Sequence, residues 1–243
     1  MRLISTFMFD KLSSLFFSGL LFLLLFNSQE SVYVLLGSAV ALVIALIAVN
    51  LRKVGLAWSH QFISLTYIVA VFSGFVLVPS QNFRLVFLIA SCILFYFVQM
   101  NLGKESQLLQ NVFLGSLFII YTAIFSLQHY QNINIWLLLA LIALLTFMFS
   151  IQGFAGFSIS SKKHFIFVLT VLCVEASAGL YLWPIYFPIK GAILFLLFYL
   201  FWVFSVADFF GKLTRKKVIF QSVIVFACLV ILLLSTTWRK LIG

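Results

Sequence analysis

Glu175, in the run VLTVLCVEASAGLYLWP, is an acid inside an apolar stretch. Lys163 lies twelve residues before it and Pro184 nine residues after it. At about 1.5 Å per helical residue, Glu175 sits roughly 18 Å from one end of the stretch and roughly 13 Å from the other. A carboxyl group at that depth in a bilayer must be protonated, paired or wetted, and by default it marks a functional site. Lys190 follows the WPIYFP turn. Its axial offset from Glu175 is only about 6–8 Å by helix rise, a distance that a lysine stem can cover. Ala176, Ser177, Ala178 and Gly179 are small and admit a neighbouring helix closely. Glu175, Lys190, Ser177 and Tyr181 therefore form the candidate intramembrane polar site. Two uses stay open: a hydrogen-bonded glutamate that locks helix packing while Lys190 points to water, or a proton- or ligand-binding site.

Other chemistry has less support. The acids are Asp10, Glu30, Glu105, Glu175 and Asp208, scattered over different loops and depths. Membrane transferases that use magnesium need clustered carboxylates to hold the ion near a phosphate. His60, His129 and His164 fall near predicted membrane faces, with no HExxH spacing or paired carboxylates around them. Neither a metal nor a cofactor is expected. GFAGFS, before Ser160, lacks the G-x-S-x-G spacing of a nucleophile elbow. Cys92, Cys173 and Cys228 lie singly inside apolar runs, as small packing residues do.

The elements that must position these groups are legible in the composition. The 243 residues are 65% hydrophobic, 18% aromatic and only 8% charged, whereas a soluble domain is about half apolar and a quarter charged. The expected fold class is all-α, a polytopic transmembrane bundle with a single domain over 1–243. Apolar runs of spanning length occur at approximately 11–27, 32–50, 57–78, 83–100, 111–128, 133–151, 164–183, 187–208 and 217–237. Residues 1–10 are expected as a short interfacial helix, with Leu3, Ile4, Phe7 and Met8 against lipid. The first run is read as a retained span, since no small-x-small cleavage site follows it. No connection is long enough for a soluble domain.

Charge placement orients the chain. With nine spans and a cytoplasmic N-terminus, the inside holds Arg2, Lys11, Arg52, Lys53, Lys104, Lys162, Lys163, Lys212, Arg215, Lys216 and Lys217. The outside holds only Arg84, Lys190, Arg239 and Lys240, as the positive-inside rule requires. An eight-span chain without the first span strands Arg2 and Lys11 outside and is the second choice. The net charge of +10 comes from short loop clusters suited to anionic headgroups, with no long basic stretch for nucleic acid. Lys212, Arg215, Lys216 and Lys217 are the candidate lipid or partner contact. Trp58, Trp136, Trp183 and Trp238 fall near span ends, where amphipathic rings prefer to sit, and Trp202 is the exception. Pro79, Pro184 and Pro188 lie at span ends, so no span is kinked centrally.

Gly37, Ala41, Ala45 and Ala48 form a small-residue stripe that suits close helix packing, within the chain first and at an oligomer interface second. Ser64, Thr66, Tyr67, Tyr96, Gln99, Tyr121, Thr122 and Gln221 are polar groups at depth that would line a narrow cavity with Glu175 or bond between helices.

The segment EASAGLYLWPIYFPIKGAILFLLFY, followed by KLTRKK, resembles the C-terminal hairpin of an uncharacterised family of small polytopic bacterial inner-membrane proteins. The shared residues would be Glu175, Trp183, Pro184, Gly191 and Tyr199. The resemblance covers about a third of the chain, and it implies a helical hairpin and an envelope location without any activity. Three functions remain open: a non-enzymatic scaffold or accessory subunit that contacts other membrane proteins or itself, a small transporter or channel using Glu175, and a lipid-modifying enzyme with Glu175 as acid or base.

Overall fold

A computed structural model describes residues 2–27, 32–54, 58–102, 107–154 and 162–235. Expectations placed on Glu30, Lys104, Glu105, Ser160, Trp238, Arg239 and Lys240 lie outside the described residues. So do the side chains of residues 2–10, among them Arg2, Leu3, Ile4, Phe7, Met8 and Asp10, and those of Arg52, Lys53, Trp58 and His60.

Among the described residues the chain forms nine helices and no strand. They are α1 (Arg2–Asn27), α2 (Val32–Val54), α3 (Trp58–Leu77), α4 (Gln81–Met100), α5 (Gln107–Gln131), α6 (Ile135–Gly153), α7 (Lys162–Leu182), α8 (Phe187–Phe209) and α9 (Arg215–Leu234). Six of them, α4 to α9, are long and apolar enough to cross a membrane. In such a medium every backbone N–H and C=O must be satisfied within the segment, and a helix does this without a partner. Residues 2–10 are the first turns of α1, continuous with the rest of it.

Polar residues at the helix starts act as caps. The Asn134 side chain accepts from the Trp136 N–H at 3.1 Å and starts α6, and the Thr214 hydroxyl accepts from the Lys217 N–H at 3.4 Å and starts α9. Pro188 sits in the first turn of α8, where its missing N–H costs nothing. At the far end of α8, Gly211 takes φ 62°. The Lys212 N–H reaches the Ala207 carbonyl at 2.9 Å and the Gly211 N–H reaches Asp208 at 2.8 Å. This pair of bonds is the Schellman closure, which needs a left-handed residue and so favours glycine.

The chain divides into two compact units, Met1–Ile120 and Tyr121–Gly243. In the first, α1 packs on α4 and α2, and α3 packs on α2 and α4. Leu21, Leu25, Leu42, Leu46, Ile68 and Phe95 are fully buried there. Polar groups at depth pair off inside this unit. The Ser18 hydroxyl donates to the Cys92 carbonyl at 2.6 Å, Tyr67 donates to the Ser91 carbonyl at 2.8 Å, and Gln99 donates to the Ser64 hydroxyl at 3.1 Å. Such bonds hold one helix to the next with modest stabilisation each.

In the second unit, α7 packs on α6 and α8, and α8 packs on α9. Leu138, Ile142 and Phe149 of α6, Leu169 and Cys173 of α7, and Leu194 and Phe198 of α8 are buried in this unit. Val225 is the one buried residue of α9. Tyr121 is fully buried, and its hydroxyl lies 2.7 Å from the Thr146 hydroxyl. Tyr121→Phe should therefore lower stability by about 0.6–1.7 kcal/mol, from the mean to the maximum measured for hydrogen bonds between membrane helices. Thermal unfolding of both proteins in one detergent checks it, and an unchanged midpoint would show that the pair contributes nothing.

Candidate functional site

The turn between α7 and α8 is as short as WPIYFP implies, with the Ile185 N–H bonded to the Trp183 carbonyl at 2.9 Å. It makes the two helices neighbours, as expected. The expected approach of Lys190 to Glu175 does not occur. The buried residues of α7 are Ile166, Leu169, Cys173, Ser177 and Leu180. Glu175 lies two residues from both Cys173 and Ser177, and at about 100° of rotation per residue this places it on the opposite face. Its side chain is exposed, on the face that also presents Phe167, Val168, Val171 and Leu182. It has no hydrogen-bond or ion-pair partner among the described residues. Axial rise set the expectation, but the angle around the helix decides which groups meet.

Ser177 is fully buried and donates back to the Cys173 carbonyl of its own helix. It therefore points away from Glu175. Tyr181 contributes its backbone rather than its phenol. Its carbonyl is one of the last four of α7, which have no partner within the helix. It accepts from the Gln128 amide at 3.1 Å and from the Lys190 ammonium at 3.4 Å.

Lys190 itself does not point to water. It is only 6% exposed, and its ammonium also donates to Gln128 Oε1 at 3.3 Å. Gln128, Lys190 and the Tyr181 carbonyl thus close a triangle. One amide orientation of Gln128 satisfies it, with the oxygen toward the cation and the nitrogen toward the carbonyl. The position suits a cation, since the C-terminus of a helix is its negative end.

Gln128 and Lys190 of this triangle line a polar cavity of about 190 Å³, together with Phe125, His129, Asn132, Ile185 and Phe187. His129 and Asn132 are exposed at its rim. Asn132 takes φ 48°, and asparagine is among the few residues that accept a left-handed backbone. The His129 ring packs 5.6 Å from Phe187, 6.2 Å from Tyr186 and 4.9 Å from Tyr130, centroid to centroid. Exposed Tyr130, Trp136, Trp183 and Tyr186 surround this end of the unit.

A larger and mainly apolar cavity of about 580 Å³ lies in the first unit between α3, α4 and the start of α5. Tyr67, Ser91, Asn111 and Ser116 are its polar lining. Of the deep polar residues picked out in the sequence, Tyr67 reaches this cavity, while Ser64 and Gln99 bond to each other. Lys212, between α8 and α9, and Arg215, Lys216 and Lys217, in the first turn of α9, are all exposed at the opposite end of α8 from Lys190. His164 is exposed, Cys92 and Cys173 are buried, and Cys228 is half-buried. The indole nitrogen of Trp202, the deep tryptophan, is buried without a partner among the described residues. Among the described residues no group of three His, Cys, Asp or Glu side chains converges to hold a metal ion.

Sequence reasoning missed Gln128 and Asn132, which read only as polar residues of the QHYQN break. Nothing local marks Gln128 as the partner of a lysine sixty-two positions away. No family model, curated protein or solved structure matches the chain, so its functional reading starts from these side chains.

Proposed function

We propose that this is a nine-span protein of the inner membrane, with its N-terminus in the cytoplasm, serving as a non-enzymatic scaffold or accessory subunit of an envelope assembly. The basic cluster Lys212, Arg215, Lys216 and Lys217 at the end of α8 remote from Lys190 supports that orientation, since cytoplasmic loops carry the excess of Lys and Arg. The observation that carries the assembly role is Glu175, exposed and unpartnered in the middle of an apolar face of α7. A charged side chain in mid-bilayer costs about 3 kcal/mol even by translocon-insertion scales. A second transmembrane chain offering a hydrogen-bond donor or a cation opposite Glu175 removes that cost and covers the face. The alternatives have less behind them. Transport needs a wet route to Glu175, which lines neither cavity described above. Lipid chemistry needs a second polar group within its reach.

Purification of the chain in mild detergent tests the proposal. The expected result is a homo-oligomer or a stoichiometric complex rather than the 27.6 kDa monomer. Glu175→Leu should dissociate it while Glu175→Gln, which keeps hydrogen-bonding capacity, largely retains it. A wild-type chain that runs as a clean monomer without a partner sinks the assembly reading.

A further inference from the structure

We infer that the cavity where α5 ends and the α7–α8 turn begins binds a phosphate group, with Lys190 as its cation and an anionic phospholipid headgroup as the favoured source. Lys190 is buried, yet its partners are an amide oxygen and a carbonyl, both neutral. No carboxylate pairs with it among the described residues. A buried charge with no counter-charge is costly, and natural proteins pair it or bring an anion to it. An ammonium has three donors. Two are used in long bonds of 3.3 and 3.4 Å, which leaves one for a ligand in the cavity that Lys190 lines.

The other features agree with an anion. Phe187 and Lys190, from the first turn of α8, line the cavity; the positive end of that helix offsets the negative ends of α5 and α7 there, and the ammonium is the group that favours an anion. Asn132 and His129 supply polar groups at the rim. A volume of about 190 Å³ falls below the roughly 300–1,000 Å³ of sites that hold drug-sized ligands, and it suits a phosphate group rather than a whole lipid. The surrounding Tyr130, Trp136, Trp183 and Tyr186 are of the type that settles at headgroup level. A lipid phosphate would meet the cavity at that depth while its acyl chains stay outside. This site is separate from the basic cluster at Lys212–Lys217, which lies at the other end of α8.

The test is thermal unfolding of the full-length protein in detergent, titrated with phosphatidylglycerol, with diacylglycerol of the same chains, or with inorganic phosphate. Phosphatidylglycerol should raise the midpoint and diacylglycerol should not. Lys190→Met should weaken the phosphatidylglycerol response about tenfold in concentration, the scale of one charge-assisted hydrogen bond. A variant with Lys212, Arg215, Lys216 and Lys217 all changed to Gln should respond as the wild type does. Protection by inorganic phosphate that depends equally on Lys190 would support the site and assign it to free phosphate. Should Lys190→Met fail to fold, His129→Leu at the exposed rim should weaken the response about threefold, as loss of a neutral hydrogen bond does. The inference is overturned if the wild type responds to neither phosphate source. It is overturned equally if the response survives Lys190→Met, or if it disappears in the four-residue variant.

Discussion

Gly191→Ala should lower the stability of the C-terminal unit by about 2 kcal/mol, although alanine is the better helix former. A Cβ on Gly191 would stand 2.7 Å from the Thr122 Cα, 2.8 Å from the Thr122 nitrogen and 2.5 Å from its hydroxyl oxygen. Two of these are backbone atoms of α5, so no rotamer change relieves the contact and the helices must part. Overpacking of this kind costs about 1–3 kcal/mol, at the upper end where backbone must move. The gain in helix propensity returns about 1 kcal/mol, so the clash wins. Gly179 is the control. It is exposed in the interior of α7 with nothing within 4 Å of its would-be Cβ. Gly179→Ala should therefore be neutral or stabilising by up to about 1 kcal/mol. Gly74 falls between the two, because its nearest atom at 2.7 Å is the ring tip of Phe87, which can swing away. Thermal unfolding of the three variants in one detergent should rank them Gly179, Gly74, Gly191 from mildest to worst. A Gly191→Ala protein as stable as the wild type would show that α5 and α8 do not approach this closely.

The second large effect is an asymmetry between the two sides of one hydrogen bond. Gln128→Leu should destabilise the unit by about 1.5–3 kcal/mol, the value of a bond to a charged group. Among the described residues it strips the buried Lys190 ammonium of its one side-chain partner and leaves it the Tyr181 carbonyl. It also removes the amide that satisfies that carbonyl. Lys190→Met should be close to neutral or mildly stabilising, because replacing a buried charge by an apolar group of similar length removes the desolvation cost together with the bond. Gln128→Leu combined with Lys190→Met should then recover part of the loss. A double-mutant cycle measured by unfolding reads this directly. Equal losses for the two single variants would contradict the geometry, since a symmetric cost would mean that Lys190 has a counter-charge after all.

The two cases show which parts of this protein were readable along the chain. Each expected apolar run is a helix over most of its described residues, because in an apolar medium a helix satisfies its own backbone. The caps were not singled out along the chain, and Asn134 fell inside the expected run 133–151. Asn134 and Thr214 cap because their side chains reach an N–H two or three residues on, and Gly211 ends α8 because it tolerates a left-handed backbone. The tight WPIYFP turn required α7 and α8 to be neighbours. All of these are local properties, settled within a few residues.

The site was not local. Rise along a helix brought Lys190 level with Glu175, but sequence spacing does not say how one helix is rotated against another. That rotation follows from burying Cys173, Ser177 and Leu180 of α7, and from the close approach of Gly191 to Thr122. It turns Glu175 outward and brings Lys190 to Gln128. Composition and the apolar runs thus indicated the helices and, for six of them, their suitability for a membrane. Packing between residues tens of positions apart decided which buried polar groups meet, because side-chain fit across helices is resolved only when the helices are in contact.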